Sequence, residues 1–305
     1  MRKIVLASLF LIALYAAALY VGQARSAHAC SLAEYKEFFL DNHFSPTRYP
    51  LQNRPFAILV VGFNNGASVE KTLHSIFSQH YDNYRLVYID DASNDGSIEL
   101  VRELILESGQ SEKVTLVENK ARLGELANMS SAIAKCLDHE IVVWVGGDDW
   151  LAHEWTLSRL NEYYADPDLW LTFGQYREFP TYRLGISAPF ERLEWEEKGF
   201  RGCPFAASHL KTFYAGLFKQ IEKTDFTFQG SFLPEKADLA VMIPLLELAR
   251  HHFQFIPDIL YVANRKNKPL QEDRKQSAYF EQIVRSFPVY APLSSLPFKQ
   301  EAAGE

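Results

Sequence analysis

Aspartates cluster at two points of this chain where an apolar run has just ended. The first cluster is Asp90-Asp91-Ala92-Ser93-Asn94-Asp95-Gly96, directly after Leu86-Val87-Tyr88-Ile89. The second is Gly146-Gly147-Asp148-Asp149-Trp150, directly after Ile141-Val142-Val143-Trp144-Val145. Two adjacent Asp residues can hold a hard divalent cation through oxygen. Such a cation commonly bridges phosphate oxygens and offsets the charge of a departing group. The glycines let a ligand approach the backbone closely. Taken alone, either cluster also reads as a polar turn, with short side chains bonding backbone N–H groups and capping the next helix. Trp150, beside the Asp pair, is the best placed of the tryptophans to stack on a sugar, whereas Trp155 and Trp170 read as core.

The elements that must position these residues alternate. Strands are expected at 57–61, 86–89, 114–117 and 141–145. Between them lie helical patterns marked by Val69, Leu73, Ile76 and Phe77, then Ile98, Val101, Leu104 and Ile105, then Leu126, Met129, Ile133 and Leu137. This order predicts an α/β fold, a mainly parallel central sheet with helices on both faces. In such sheets ligands sit outside the carboxyl ends of the strands, which is where both acidic clusters fall. Hydrophobic content of 48% is enough for a sizeable core, and a net charge of −7 gives no support for a nucleic-acid partner. Cys30, Cys136 and Cys203 form no zinc motif and no disulfide framework. The chain lacks a G-x-G-x-x-G turn, a P-loop, a G-x-S-x-G elbow and a zinc deaminase signature.

These motifs resemble the family 2 glycosyltransferases of GT-A fold. Phe63-Asn64 matches that family's first turn, Asp90 to Gly96 its Asp-Asp-x-Ser-x-Asp-Gly element, and Asp148-Asp149 its metal-binding element. The resemblance implies that Phe63, Asn64 and Asp91 bind a nucleotide, with Asp91 accepting from the base. It implies that Asp149 binds a divalent cation, Mn2+ or Mg2+, and that Asp148 lies by the ribose or donor sugar. Arg122, in Lys120-Ala121-Arg122-Leu123-Gly124, matches the basic residue that family members place near the diphosphate. Asp238 matches the second acid of the family's Glu-Asp element and is the implied catalytic base, although Ala237 stands where the first acid would be. The segment Ser208-His209-Leu210-Lys211-Thr212-Phe213 is similar to a Ser-His-Leu-Arg-Thr-Phe pattern of some members. His209 reads equally as a diphosphate or acceptor contact and as a packed histidine, and Ser208 as the cap of a following helix. The implied activity is inverting, metal-dependent transfer of one sugar from a nucleotide-diphosphate sugar, a UDP-sugar favoured, to a carbohydrate, lipid or protein acceptor. The alternative is a catalytically silent nucleotide- or sugar-binding protein on the same scaffold.

Residues 1–23 read as a membrane anchor: Arg2 and Lys3 precede an uncharged stretch, 4–22, close to the roughly 20 residues that span a bilayer. A cleaved signal peptide is the alternative, with Ala27-His28-Ala29 as its site, and the side of the membrane stays open. Residues 24–55 read as a stem and 56–285 as the glycosyltransferase domain, divided into a nucleotide-binding half, 56–150, and an acceptor-side half, 151–285. Within it, 256–269 reads as a strand leaving the core, with Asn264 and Arg265 within reach of the donor. Pro244 is expected to kink the helix that follows Asp238. Residues 286–305 read as a loose tail. The sequon Asn128-Met129-Ser130 falls on a helix beside the pocket, so no glycan is expected there.

Overall fold

The computed structural model describes residues 49–266 and 274–298. Among the described residues the first regular element starts at Phe56. The chain runs β1 (Phe56–Gly62), α1 (Gly66–Phe77), β2 (Tyr84–Asp90), α2 (Ser97–Glu107), β3 (Val114–Glu118), α3 (Glu125–Ile133), β4 (Ile141–Gly146), β5 (Trp150–Leu151) and α4 (Thr156–Tyr163). It continues through β6 (Leu171–Gly174), β7 (Arg177–Phe179), β8 (Arg183–Leu184), α5 (Arg192–Lys198), β9 (Lys211–Tyr214), α6 (Ala215–Phe218), β10 (Thr227–Phe228) and β11 (Ser231–Phe232). The last elements are α7 (Ala237–Ala249), β12 (Phe253–Ile256), β13 (Tyr261–Asn264) and α8 (Arg274–Ser286).

Among the described residues a seven-stranded sheet forms in the order β12-β6-β9-β4-β1-β2-β3. β1 pairs in parallel with both β2 and β4, in line with its continuous apolar run, Phe56 to Val60, all buried. Each such side chain contributes roughly 1.5–3 kcal/mol relative to leaving it in water. The exception to the parallel rule is β9, antiparallel to both β4 and β6. A smaller sheet, β5-β13-β7-β8, covers the carboxyl end of β4.

Several expectations are corrected. α3 ends at Ile133, so Leu137 lies beyond it and is exposed. Trp155 is exposed against His80 rather than in the core, whereas Trp170 is buried. Ser208 precedes a strand, not a helix. α7 runs unbroken through Pro244, because it is buried on almost every side and packing holds the turn that lacks a hydrogen bond. The stretch after residue 256 is not one departing strand. β12 stops at Ile256, and β13 turns back into the molecule. The tail is not loose through residue 298. Leu293 N–H donates to the Leu248 carbonyl, Tyr290 O–H to Asp225, and the Phe298 ring lies edge-on to Tyr214. The expected anchor, 1–23, lies outside the described residues, as does the stem up to residue 48. No helix among the described residues is long and apolar enough to cross a membrane.

Candidate active site

A cleft of about 720 Å3 opens at the carboxyl ends of β1, β2 and β4. It gathers Phe63, Asp91, Arg122, Asp148, Asp149, His209 and Asp238 from separate parts of the chain. A second hollow of about 590 Å3, beside Trp170 and His252, gathers none of these. Trp150 is also outside the cleft lining. Its ring meets Phe179 edge-on at 5.3 Å, with the Lys71 ammonium 5.0 Å from the ring centre.

Asp91, at the end of β2, is buried and organises the loop between β3 and α3. Its Oδ1 accepts from Leu123 N–H and Asn119 Nδ2, and its Oδ2 from Gly124 N–H, at 2.8–2.9 Å. Burial opposes its ionisation, but these donors outweigh burial and hold the carboxyl below the usual carboxylate range. The loop thereby presents Arg122, whose guanidinium lies 3.9 Å from the Phe63 ring centre. Asn64, at φ 50°, ties the first turn to the acidic loop: its N–H donates to Ser93 Oγ, and its Oδ1 accepts from Asn94 N–H. Ser93 and Asp95 do structural work there. Asp95 accepts from the N–H groups of Gly66 and Ser97.

At the end of β4 the two glycines are sterically required. A Cβ on Gly147 would lie 2.6 Å from the Val61 carbonyl oxygen and 2.7 Å from the Gly62 Cα. One on Gly146 would lie 2.8 Å from Asp149 Oδ2. Asn65 Nδ2 and Thr72 Oγ1 both donate to the Gly147 carbonyl and hold the turn against α1. The Asp pair is divided by this turn. Asp149 is buried, with Oδ2 accepting from Tyr261 O–H and Oδ1 from Asn264 N–H, each at 2.7 Å. Asp148 is exposed and lines the cleft. Both carboxylates of the pair thus line the cleft, Asp148 exposed and Asp149 held by Tyr261 and Asn264. Asn264 belongs to the Asp149 clamp, and Arg265 lines the cleft while bonding Glu178.

Asp238 sits in the first turn of α7, across the cleft, with its side chain 40% exposed. Lys211, from β9, is buried with its Nζ 3.4 Å from Asp238 Oδ2 and 4.1 Å from the Trp144 ring centre. Burial opposes ionisation of Asp238, but the charges of Lys211 and His209 outweigh it and hold the carboxyl well below the usual range. The His209 ring is stacked on Tyr261 at 4.5 Å and edge-on to Tyr176, and it also lines the cleft. The sequence reading missed Asn65, Asn119, Lys211 and Tyr261. Only Lys211 carried a signal, a lysine inside a run that otherwise reads as a buried strand.

The residues present fit a divalent cation of one kind. Among the described residues no three His, Cys, Asp or Glu side chains gather into a cage. Magnesium-like ions, however, are commonly held by one or two carboxylates together with substrate phosphates. Asp148 and Asp149 are the adjacent carboxylates on the cleft lining that could do so, and the two Asp149 oxygens also accept hydrogen bonds from Tyr261 and Asn264.

Comparison with known proteins agrees with this architecture. The chain superposes on S. aureus TarS in complex with UDP-GlcNAc with a TM-score of 0.54, at 16% identity over 70% of this chain and 60% of that one. It superposes on the mannosyltransferase PcManGT from Pyrobaculum calidifontis, in complex with GDP-Man and Mn2+, with a TM-score of 0.53, at 20% identity over 81% of this chain and 69% of that one. In sequence it is 22% identical to the glycosyltransferase GlyG of Streptococcus pneumoniae, over 76% of this chain and 77% of that protein. The fold is thus α/β of GT-A type. Residues 57–226 match the glycosyl transferase family 2 model, and the chain belongs to that family and is a glycosyltransferase.

Proposed function

We propose that the cleft takes a nucleotide-diphosphate sugar, a UDP-sugar favoured, and transfers one sugar with inversion to a carbohydrate, lipid or protein hydroxyl. The observation that carries this reading is that Asp91, Arg122, Asp148 and Asp238, from four separate segments, line one cleft. Phe63, Arg122 and the Asp91-held loop offer the base a flat wall and acceptors, and Arg122 offers a cation to the diphosphate. Asp238 takes the proton of the acceptor hydroxyl as its oxygen attacks the anomeric carbon from the face opposite the diphosphate. The new C–O bond forms as the old one breaks, and its electron pair leaves with the diphosphate. A divalent cation held by the Asp148-Asp149 pair and the diphosphate would offset the leaving group's charge.

The test is a thermal shift of residues 31–305 with UDP, GDP, ADP and CDP, each with and without Mn2+, followed by hydrolysis of the matching nucleotide sugar. Stabilisation by one nucleotide that grows with Mn2+, together with turnover, is the expected result. Binding without turnover in the presence of any acceptor would instead support the silent binding module. The reading extends to a membrane-associated chain through the uncharged stretch 4–22. Alkaline carbonate should leave the full chain in the membrane fraction and release residues 31–305.

A further inference from the structure

We propose that Lys211 is the positioning residue of the transfer, its ammonium held between the Trp144 indole and the Asp238 carboxylate so that the base stays ionised and aimed into the cleft. The inference rests on the reading of Asp238 as the base. Lys211 lies directly opposite Trp144 in the antiparallel register of β9 and β4, so its place is fixed by the sheet and not by a loop. Its Nζ lies over the indole face, and the residue lines the cleft. The indole is fixed in turn, because Trp144 Nε1 donates to Glu125 Oε1 at 3.0 Å. The rest of β9 makes ordinary core contacts, with the Thr212 hydroxyl against Tyr164 and Thr172 and with Phe213 and Tyr214 buried. Burying an ammonium costs free energy that an apolar side chain of the same length would not. A methionine at 211 would fill the slot. The charge therefore has its use at Asp238.

The other charged groups around Asp238 do not replace it. His209 adds to the positive field from the segment before β9. Lys236, two residues earlier, faces Glu281 of α8 at 3.7 Å. Glu235 and Glu125, both on the cleft lining, carry the opposite sign. With Lys211 in place Asp238 is a weak base at rest. It takes the proton only as the acceptor oxygen bonds to the anomeric carbon and its O–H becomes acidic. Once protonated, Asp238 gives the proton up readily, and the base is reset.

The experiment compares kcat/KM for UDP release from a UDP-hexose, with water as acceptor, in wild type, Lys211→Met, Lys211→Arg and Asp238→Asn across about pH 4 to pH 8. Without the ammonium, the largest influence that favours ionised Asp238 is gone, and its pKa rises from the lowered value. The ratio of Lys211→Met to wild type should then fall by about tenfold per pH unit below that new pKa, while the Lys211→Arg ratio stays flat. If the Met variant does not fold, Lys211→Gln is read in the same way. A Lys211→Met ratio that is low but independent of pH, beside an inactive Asp238→Asn, overturns the role of Lys211 alone. Wild-type turnover by Asp238→Asn overturns the base assignment, and the inference falls with it.

Discussion

Asp148 and Asp149 are neighbours in the chain and differ in everything else. Asp149 is a buried acceptor for the Tyr261 hydroxyl and the Asn264 amide. Removing it leaves two buried donors unsatisfied, at roughly 1–3 kcal/mol each. Asp149→Ala should therefore lose about 2–6 kcal/mol in urea unfolding. Asp148→Ala should stay within about 0.5 kcal/mol of wild type and lose Mn2+-dependent nucleotide binding. The opposite pattern would give the ligand role to Asp149 alone. Asp91 gives a prediction in pH. Its folded pKa is lowered, so its contribution to stability is complete above the unfolded value of about 4 and is lost as pH falls through the folded value. The gap in melting temperature between wild type and Asp91→Asn should be constant from about pH 5 to pH 7 and shrink below about pH 4. A gap that does not change with pH would mean that ionisation of Asp91 is not linked to folding.

The elements differ in how legible they were. β1, β2, β3 and β4 are short apolar runs between turn signals, and the helices between them carry a clear 3.6-residue period, so the nucleotide-side half was readable from local pattern alone. The acidic motifs fell at strand ends for the same reason. Residues 151–285 were not readable in this way. β5, β7, β8 and β13 are two to four residues long, too short for any period to register. The antiparallel insertion of β9 depends on pairing with two strands distant in sequence. The Asp148/Asp149 division was hidden because it is made by Tyr261 and Asn264, more than 110 residues away. What the local sequence did carry is the demand for glycine at the β4 turn. Gly147→Ala would drive a Cβ into the backbone of β1, where nothing flexible can give way. The expected cost is roughly 1–3 kcal/mol, with weaker nucleotide binding as β1 and β4 part. Wild-type stability in urea and unchanged nucleotide affinity would show that the turn can open without loss.

On the scale of the molecule, the cleft works only if the two halves keep their relation, because Asp91, Arg122 and Asp148 come from one and Asp238 from the other. Two sets of contacts keep it. Asp149, Tyr261, Asn264 and Ser68 bond β13 to the end of β4 and to α1. Around α7, Arg201 pairs with Glu247 at 2.7 Å and donates to the Val284 carbonyl, while Arg285 returns to the carbonyls of Arg201 and Cys203. These bonds join α8 to the segment that leads to His209 and Lys211. Residues 287–298 complete the arrangement, since Tyr290 N–H donates to Glu247 and Tyr290 O–H to Asp225. The carboxyl-terminal segment thus braces the helix that carries Asp238. Ending the chain after Ser286 should remove the apolar cover given by Tyr290, Leu293 and Phe298, at a cost of at least about 3 kcal/mol. It should also lower turnover more than nucleotide binding, because the brace acts on α7 and not on the Asp91 loop. Urea unfolding with nucleotide titration separates the two effects. Equal loss of binding and turnover, or none of either, would mean that α7 holds Asp238 in place without the tail.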